Sequence, residues 1–336
     1  MLNKATILLT GGTGSFGKKF VSMTLAKYPK VKKIVIFSRD EMKQWEMASA
    51  FKNDPRLRFF IGDVRDKERF HRACNGIDFI IHAAALKIVP TAEYNPFEYI
   101  KTNINGAMNV IDCALDHKIK RVVALSTDKA CNPVNLYGAT KLCSDKLFVA
   151  ANSYSGGQDT RMSVVRYGNV MGSRGSIIPF FMNLIKNGAK ELPITDDRMT
   201  RFMITLEQGV ELVWHALNDS VGGEIYVKKI PSMNIVDIAK AVSPSAKIKI
   251  IGIRPGEKLH EEMISVEDSR YTYEYKDHFK ILPQIFPELH NESIGKGKNG
   301  GKLCSPEFSY NSGTNKQWMA APALSNWLKK EYKVDK

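Results

Sequence analysis

The sequence predicts an α/β fold built on a doubly wound parallel sheet, and three observations carry that prediction. Short runs rich in β-branched residues alternate with helical patterns along the first half of the chain. These runs are apolar at nearly every position, which is typical of parallel strands covered by helices on both faces. The first run also leads directly into a glycine-rich turn that opens a helical pattern. Together these features predict repeated β-α-β units.

The strands are expected in a regular order along the chain. Six runs form the series, at residues 5–10, 32–38, 58–63, 78–84, 121–127 and 163–168, and a later run at 223–227 is expected to return to the same sheet. After residue 169 the rhythm breaks up into loops. We therefore predict a Rossmann-type domain over residues 1–170 and a smaller, partly discontinuous region over residues 171–336. The polar, Gly- and Lys-rich stretch 291–302 is expected to be a loop or mobile segment.

The composition is that of an ordinary globular protein, with 43% hydrophobic and 25% charged residues. No stretch approaches the ~20 apolar residues that span a bilayer, and the N-terminus lacks a signal-peptide pattern, so no membrane association is expected. Five cysteines without a C-x-x-C pair argue against disulfides or zinc and fit a cytoplasmic location. The formal net charge of +14 comes from scattered lysines and arginines, so we expect a solvated basic surface and no nucleic-acid partner.

Glycines punctuate the turn after the first strand. Gly11, Gly14 and Gly17 are spaced three apart in TGGTGSFG, just before a helical pattern. Glycine permits a tight turn and lets a pyrophosphate approach the N–H groups at the start of the helix. We therefore expect a dinucleotide cofactor here, with a tight turn that binds nothing as the alternative. The other members of the turn expected to touch the cofactor are Thr13, Ser15 and Phe16.

The end of the second strand bears on the choice between NAD and NADP. An acidic residue there holds the ribose of NAD, whereas this chain reads Ser38-Arg39-Asp40. A guanidinium suits a 2′-phosphate through charge-assisted contacts, so NADP is favoured, and Lys43 is included in the same site. Asp40 keeps NAD open, and a cap on the next helix with a solvated Arg39 is the alternative interpretation.

Two later strand ends are expected to complete the cofactor site. Asp63 and Val64 follow the third strand, where the carboxylate is placed to meet the adenine. Ala83, Ala84 and Ala85 follow the fourth strand and offer a wall of small residues. Open α/β sheets bind ligands at the carboxyl ends of their strands, which favours this interpretation over plain packing.

The stretch STDKACNPVNLYGATK follows the fifth strand and carries five candidate catalytic residues, Thr127, Asp128, Lys129, Tyr137 and Lys141. Tyr137 and Lys141 lie four residues apart and share one face of a helix. An ammonium beside a phenol lowers the tyrosine pKa from its usual ~10, so Tyr137 is expected to accept a proton from a sugar hydroxyl. The side chains of Asp128 and Lys129 are expected to diverge in a strand-like turn; if they couple, their titration belongs to the pair.

The motifs TGGTGSFG, SRDE, IGDVRD, HAAALK, STDKACNPVNLYGATK, RYGNVMGSRGS, PITDDRMTRF and IRPGEKLHE together carry a resemblance. The chain resembles the extended short-chain dehydrogenases called UDP-N-acetylglucosamine 4,6-dehydratases (inverting), and it is most similar to their flagellin-glycosylation, pseudaminic-acid branch. The resemblance implies an NADP-binding first domain, a UDP-sugar-binding second region and a cytoplasmic homo-oligomer, a hexamer by resemblance.

The resemblance also implies a role for each catalytic residue. Tyr137 deprotonates the C4 hydroxyl of UDP-N-acetylglucosamine, which Thr127 hydrogen-bonds, while hydride moves to NADP; Lys141 reaches the cofactor ribose. Lys129 removes the C5 proton, which requires a neutral amine and hence a depressed pKa. Asp128, protonated, gives its proton to the leaving C6 hydroxyl. The product is UDP-2-acetamido-2,6-dideoxy-β-L-arabino-hex-4-ulose, inverted at C5.

Substrate contacts follow from the same resemblance. Lys87 is expected to contact cofactor or substrate, although Ile88 stands where such proteins often have histidine, which leaves any role of that histidine open. Asn103 resembles the asparagine that holds a helix and a water in short-chain dehydrogenases. The residues expected to grip UDP and its diphosphate are Asn169, Arg174, Thr195, Arg201, Arg254 and Glu257. No metal is expected.

Three other functions stay open at this point. A UDP-hexose 4-epimerase or a retaining dehydratase would use the same scaffold, but retaining dehydratases carry Asp-Glu where this chain has Asp128-Lys129. A non-catalytic NADP sensor would keep the glycine-rich turn and lose the catalytic set, all of which is present here.

Overall fold

The structure is a computed structural model that describes residues 2–287, 297 and 300–332. Its strands are β1 (Thr6–Thr10), β2 (Lys33–Ser38), β3 (Leu57–Ile61), β4 (Phe79–His82), β5 (Arg121–Leu125), β6 (Arg161–Arg166), β7 (Asn169–Val170), β8 (Glu191–Ile194), β9 (Thr200–Ile204), β10 (Ile225–Lys228), β11 (Ser232–Asn234), β12 (Lys247–Ile250), β13 (Glu262–Ile264), β14 (Thr272–Glu274), β15 (His278–Ile281), β16 (Lys302–Leu303) and β17 (Tyr310–Asn311). The stretch 291–302, expected to be a loop, lies mostly outside the described residues.

The helices alternate with the first six strands, as the sequence predicts. They are α1 (Ser15–Lys27), α2 (Glu41–Ala50), α3 (Lys67–Ala73), α4 (Val89–Tyr94), α5 (Pro96–Tyr99), α6 (Gly106–Asp116), α7 (Leu136–Ala150), α8 (Ile177–Lys186), α9 (Leu206–Asp219), α10 (Ile235–Val242), α11 (Val266–Ser269) and α12 (Ala321–Tyr332). A π-helical segment joins α5 to α6 over Ile100–Asn105, and short 3-10 turns cover Asp128–Ala130 and Ala151–Ser155.

A ten-stranded sheet forms the centre of the protein, in the order β16-β14-β15-β10-β6-β5-β4-β1-β2-β3. The seven strands from β10 to β3 are all parallel, which confirms the predicted doubly wound sheet and the returning strand near 223–227. The antiparallel strands β15, β14 and β16 extend this sheet and are absent from the sequence prediction. Parallel strands direct their carboxyl ends to one edge, so the loops after β1, β2, β4 and β5 meet there.

Two apolar cores cover the faces of this sheet. Ile7 and Leu9 of β1 pack in one core with Phe20 of α1, whereas Leu8 packs in the other with Phe70 of α3. Successive strand residues point to opposite faces, so a strand that is apolar at every position supplies both cores. This is the physical reason for the continuous apolar runs in the sequence.

The chain from residue 169 onward builds three small sheets, ordered β11-β9-β7, β12-β8 and β13-β17. A third core, which includes Phe181 of α8 and Leu324 of α12, supports them. The same part of the chain also contributes β10, β14, β15 and β16 to the central sheet. A boundary at residue 170 stays a prediction. Within the described residues, none of the helices combines the length and apolarity needed to cross a membrane.

Candidate active site

The glycine-rich turn after β1 is shaped by three close approaches. Gly11 has a φ of +63° and donates its N–H to the carbonyl of Phe37 at 2.9 Å, which ties the turn to the end of β2. A Cβ on Gly11 would lie 2.9 Å from the Ala84 nitrogen, and one on Gly17 would lie 2.2 Å from the Gly12 oxygen. Only glycine fits both positions.

Helix α1 starts at Ser15, with Gly14 as an N-cap that provides no side-chain acceptor. The N–H groups of the first helical turn have no intrahelical partners, so they point at the space before the helix. A pyrophosphate fits such an N-terminus in charge and in hydrogen bonding. The turn therefore fits the dinucleotide that the sequence predicts. Thr13 lies in the turn, and Ser15 and Phe16 are the first two residues of α1.

A buried threonine holds the loop after β4 against this turn. Thr10 accepts hydrogen bonds from the backbone N–H groups of Ala83 at 3.0 Å and Ala84 at 3.1 Å, and its hydroxyl contacts the His82 ring at 2.9 Å. Ala85 lies exposed beyond them. The three alanines thus line the carboxyl edge of the sheet beside the glycine-rich turn.

Asn103 fixes the same loop from the other side. Its amide exchanges two hydrogen bonds with the backbone of Leu86, both at 2.9 Å, and donates a third to Thr140 of α7 at 3.0 Å. Asn103 sits in the π-helical segment and is buried. Its predicted role of holding a helix is consistent with these contacts.

The residues after the end of β2 have two different roles: Asp40 caps the next helix, and Arg39 is an exposed cation. Asp40 caps α2 by accepting the Lys43 N–H at 2.9 Å, and the Lys43 ammonium pairs with the same carboxylate. The Ser38 hydroxyl accepts a hydrogen bond from Gln44 at 3.0 Å. Arg39 stays half-exposed, with 56% of its side chain accessible. The capping alternative is therefore correct for Asp40, while Arg39 is the cation that faces outward at this strand end.

Asp63 lies between two arginines. Arg65 donates to its carboxylate at 2.7 Å and 2.9 Å, and the Arg39 guanidinium approaches the same oxygen at 3.6 Å. Although burial raises the pKa of the Asp63 carboxyl, these arginines lower it overall. Val64 next to it is buried against Gly106, where a Cβ would lie 2.9 Å from its methyl. The predicted contact of Asp63 with adenine stays a prediction.

The candidate catalytic turn, Asp128–Ala130, brings the Asp128 carboxyl and the Lys129 amine into direct contact. Lys129 donates from Nζ to Asp128 Oδ1 at 3.0 Å, and Thr127 donates to the same oxygen at 3.0 Å. The expectation that these neighbours diverge is wrong, because β5 ends at Leu125 and a 3-10 turn over Asp128–Ala130, capped by Thr127, brings the two side chains to one side. Asp128 is completely buried, and its Oδ2 has no hydrogen-bond partner among the described residues.

Burial and pairing act in opposite directions on this pair. Burial raises the pKa of the Asp128 carboxyl, and the pairing with Lys129 only partly offsets the rise. Burial lowers the pKa of Lys129, but the carboxylates of Asp128 and Glu261 outweigh it and raise the pKa overall. The expected depression of the Lys129 pKa is therefore wrong for the protein alone.

Glu261 and Arg201 complete a buried charge cluster with this pair. Glu261 Oε1 lies 3.1 Å from Lys129 Nζ and 3.8 Å from Arg201 Nε. Both residues are at least nine-tenths buried. The sequence analysis missed Glu261, because it lies 132 positions after Lys129 and nothing in the repeated glutamates of HEEM indicates which one faces the turn.

Tyr137 lies on α7, buried beside this cluster. Burial raises its pKa to about 12, while the cation of Lys129 and a hydrogen bond with Thr127 oppose the rise. The cation acting on the phenol is thus Lys129 rather than Lys141, and the predicted pKa below 10 is wrong for the protein alone. Burial lowers the pKa of Lys141, which interacts with Asp145 one turn further along α7.

The sequence analysis also missed two buried residues, Asp145 on α7 and Arg166 at the end of β6. Asp145 accepts a hydrogen bond from Ser126 at 2.7 Å and from Arg166 at 3.3 Å. Arg166 also donates to the Met263 carbonyl at 2.8 Å. An α-helical carboxylate four positions after a lysine was the available signal for Asp145. Arg166 is the last residue of β6, and its charge alone does not indicate which residue it pairs with.

The start of α7 is fastened to a late loop. Asn135 caps the helix by accepting the Gly138 N–H at 2.7 Å, and its amide donates to the Gly256 carbonyl at 2.8 Å. That loop carries Arg254 and Glu257, which form an ion pair with each other. The loop therefore lies against the start of α7, where Asn135 precedes Tyr137 by two residues.

The other predicted substrate residues surround the same edge in different environments. Thr195 and Arg201 both contact the sulfur of Met199, at 2.9 Å and 3.5 Å. Arg201 is turned toward Glu261 and toward two backbone carbonyls rather than outward. The backbone N–H of Arg174 lies 3.4 Å from the Ser15 hydroxyl, which places this residue beside the glycine-rich turn.

Two predicted residues remain to be placed. Asn169 begins β7 and pairs with Met203 of β9. Lys87 lies in the loop after β4, where desolvation and the like charge of Lys129 lower its pKa. The side chain of Ile88 beside it is 58% exposed. The structure thus gathers Lys87 with the catalytic turn and leaves Asn169 on the neighbouring small sheet.

A parallel sheet with a glycine-rich turn, followed by a tyrosine and a lysine on one helix, defines a short-chain dehydrogenase/reductase. A family model described as "Polysaccharide biosynthesis protein" matches residues 7–283. The chain is 58% identical over 326 residues to UDP-N-acetylglucosamine 4,6-dehydratase (inverting) from Campylobacter jejuni, covering 96% of this chain and 97% of the relative. The chain belongs to the family of these inverting 4,6-dehydratases.

Solved structures agree with the fold. The structure of Pen from Bacillus thuringiensis superposes with a TM-score of 0.90 at 35% identity, covering 99% of this chain and 100% of that one. The dTDP-glucose 4,6-dehydratase DesIV from Streptomyces venezuelae, with NAD and TYD bound, gives a TM-score of 0.69 at 26% identity over 76% of this chain and 86% of that one.

Relatives of another activity exist at lower identity. A UDP-glucose 4-epimerase from Rickettsia canadensis is 45% identical over 282 residues, covering 82% of both chains. The epimerase alternative from the sequence therefore has a named representative. The C. jejuni dehydratase nevertheless shares more residues over a longer stretch.

Proposed function

We propose that this protein dehydrates UDP-N-acetylglucosamine across C4 to C6 with inversion at C5, using NADP that is regenerated in each cycle. The observation that carries the proposal is the buried Asp128–Lys129 contact at 3.0 Å, flanked by Thr127 and Tyr137. It places one acid and two bases on a single turn and the helix behind it. Such a set serves a reaction in which one proton leaves the C4 hydroxyl, another leaves C5, and one reaches the C6 hydroxyl.

For the oxidation at C4, we assign Tyr137 as the base and Thr127 as the residue that orients the C4 hydroxyl. The pKa of Tyr137, about 12 in the protein alone, needs further positive charge nearby before the phenol works as a base near neutral pH. A bound nicotinamide would supply that charge and would serve as the hydride carrier between C4 and C6. Lys141, buried on the same helix, is assigned to the cofactor ribose.

Elimination requires Asp128 protonated and Lys129 neutral. The ion pair in the structure contains the same number of protons as this reactive form, so one proton moving across the 3.0 Å contact interconverts them. Lys129 then takes the C5 proton, the C5–H electrons form the C5–C6 double bond, and the C6 hydroxyl leaves with the Asp128 proton as water. Elimination leaves Asp128 ionised and Lys129 charged, which is the pairing observed. Once C6 has received hydride, C5 needs a proton, and its delivery to the face opposite the one that Lys129 deprotonated gives the inverted configuration.

The choice of NADP rests on Arg39. Its guanidinium is half-exposed at the end of β2, whereas the neighbouring carboxylate of Asp40 is occupied by its cap and by Lys43. A half-exposed guanidinium that is held, among the described residues, only by the 3.6 Å contact with Asp63, beside an occupied Asp40 carboxylate, favours a 2′-phosphate over a bare ribose. The remaining cofactor assignments follow the glycine-rich turn, Asp63, Val64, the three alanines and Lys87.

The UDP moiety is assigned to Asn169, Arg174, Thr195, Arg201, Arg254 and Glu257. In the protein alone, Arg254 and Glu257 pair with each other and Arg201 faces Glu261, so these side chains must re-pair on binding. We further propose a cytoplasmic homo-oligomer that supplies the first intermediate of pseudaminic acid, for flagellin or surface glycans.

Epimerisation is the second candidate, favoured by the Rickettsia relatives. An epimerase needs a base for C4 but no acid and base for C6 and C5. The buried Asp128–Lys129 pair argues for the dehydratase, because burying two charges without a function is costly.

The test is incubation of the protein with NADP and UDP-N-acetylglucosamine, followed by NMR and mass spectrometry. We expect a 4-keto sugar that has lost one water and carries the L-arabino configuration. A C4 epimer of unchanged mass would identify an epimerase, and a 4-keto product with retained C5 configuration would identify a retaining dehydratase. Either result contradicts the proposal.

A further inference from the structure

The ammonium of Lys129 faces two buried carboxylates, and only one of them has a role in the reaction described above. Nζ lies 3.0 Å from Asp128 Oδ1 and 3.1 Å from Glu261 Oε1. Glu261 is 2% exposed, and its Oε2 makes no hydrogen bond within the part of the chain that the structure describes. A buried carboxylate with a free oxygen is costly unless it serves a purpose.

Glu261 is held firmly in this position. Its backbone N–H donates to the Ser312 hydroxyl at 2.8 Å, and its carbonyl accepts the Ser312 N–H at 2.8 Å. The same hydroxyl contacts Thr200 Oγ1 at 2.7 Å. Burial raises the pKa of the Glu261 carboxyl, but Lys129 and Arg201 lower it overall. Glu261 is therefore a fixed anion next to the catalytic amine.

We propose that Glu261 is a positioning residue for the base: it holds the Lys129 amine in place and stabilises the ammonium that forms as C5 loses its proton. This inference rests on the proposed dehydratase function. Asp128 cannot both hold the amine and stabilise the ammonium, because it is neutral in the reactive form and must deliver its proton to the leaving hydroxyl. Glu261 accepts an N–H from the amine before the transfer and faces the ammonium after it.

The charge of the cluster supports this division of roles. With Glu261 ionised and Arg201 protonated, the two charges balance whether the shared proton is on Asp128 or on Lys129. A proton can therefore move between them without leaving a net buried charge. Stabilising the ammonium also makes the neutral amine a stronger base, and the rate of proton removal follows base strength.

The charged groups around Lys129 predict how the pH dependence of kcat changes when the charge of Glu261 is removed. Asp128 on its own turn and Glu261 before β13 stabilise the ammonium, whereas Arg201 of β9 and Lys87 after β4 are like charges. The phenol of Tyr137 on α7 is neutral in this range. Removing the Glu261 charge therefore lowers both apparent pKa values of the Asp128–Lys129 pair, since Glu261 also raises the pKa of Asp128. Both limbs of the kcat profile move to lower pH.

The experiment compares Glu261→Gln with the wild type and with Glu262→Gln. Glu262 is adjacent but accepts a hydrogen bond from Asn132 at 2.7 Å and lies outside the catalytic set, so it is a matched control. General base catalysis contributes ~10²–10⁴-fold, so losing the positioning carboxylate should lower kcat at least ~10-fold with little change in KM. The reduced-nicotinamide absorbance should still develop, while solvent deuterium enters C5 more slowly and both pH limbs shift downward.

An unshifted pH profile with wild-type C5 exchange in Glu261→Gln would overturn the inference, as would the same losses in Glu262→Gln. Failure of the wild type to make a dehydrated 4-keto product would instead overturn the proposed function. If Glu261→Gln does not fold, the Glu261→Asp variant tests the positioning role instead. It keeps the charge with a shorter reach, so C5 exchange should slow while C4 oxidation and the pH profile persist; unchanged C5 exchange overturns the inference.

Discussion

Replacing Gly138 with alanine should displace the catalytic turn, because the backbone of that turn touches this position of α7. A Cβ at Gly138 would lie 2.2 Å from the Lys129 carbonyl oxygen, 3.1 Å from its carbon and 3.0 Å from Pro133 Cβ. Ordinary contact requires ~3.5 Å, so the turn or the helix must move by about 1 Å. The atoms in the way are backbone, which cannot swing aside as a flexible side chain can.

The magnitude follows from that displacement. A misplacement of ~1 Å in a catalytic group can cost ~10²-fold in rate. Overpacking a buried site typically costs ~1–3 kcal/mol of stability, against a gain of ~0.5–1 kcal/mol from replacing glycine in a helix. We therefore expect Gly138→Ala to lower kcat ~10²-fold and to reduce the free energy of unfolding by roughly 1–2 kcal/mol.

Gly209→Ala is the matched control. Gly209 is also a buried helical glycine, but a methyl group added there would meet its nearest atom 3.8 Å away, on Tyr167. This variant should keep the wild-type kcat and gain stability from the helix propensity of alanine. NMR-monitored steady-state turnover measures kcat, and denaturant unfolding measures the free energy of unfolding. Wild-type kcat in Gly138→Ala would refute the close-approach reasoning.

Three further predictions test the cofactor end, the first step and the loop support. Arg39→Ala should lose its preference for NADP, by ~1.5–3 kcal/mol of binding free energy; equal NADP and NAD affinities in the wild type would contradict this. Tyr137→Phe should block oxidation at C4 while calorimetry still detects UDP-sugar binding, and full turnover would exclude this phenol as the base. Thr10→Val should cost ~1–3 kcal/mol of unfolding free energy because two loop amides lose their acceptor. Thr24→Val, at a buried hydroxyl with no partner among the described residues, should cost little, and equal losses in both variants would argue against the role of Thr10.

The central sheet was predictable because its signal is local. A strand that is apolar at every position must be covered on both faces, and each of the six predicted runs matches a strand in the structure to within a few residues. The late strands β14 and β15 are short and carry polar residues such as Thr272 and Lys280. Strand β15 is placed by pairing with β10, and β14 by pairing with β15, and no local pattern encodes these long-range pairings.

The candidate residues were predictable where a motif fixes the backbone, and the charge states were not. The glycine spacing and the tyrosine–lysine spacing each describe one turn or one helix face. The pKa of Lys129 depends on Glu261, which reaches the turn only through the packing of the loop before β13. The pKa of Tyr137 depends on how deeply α7 is buried. Both quantities are properties of the folded site.

The incubation of wild type and Lys129→Ala with UDP-N-acetylglucosamine in deuterium oxide tests the central claim most directly. In the wild type we expect an L-arabino 4-keto product with solvent deuterium at C5, and label placed initially at C4 should appear at C6 without washout. Lys129→Ala should stop elimination and C5 exchange, while reversible oxidation at C4 still produces transient reduced-nicotinamide absorbance. Inverted product with deuterium at C5 from Lys129→Ala, or retained configuration from the wild type, would contradict the role assigned to Lys129.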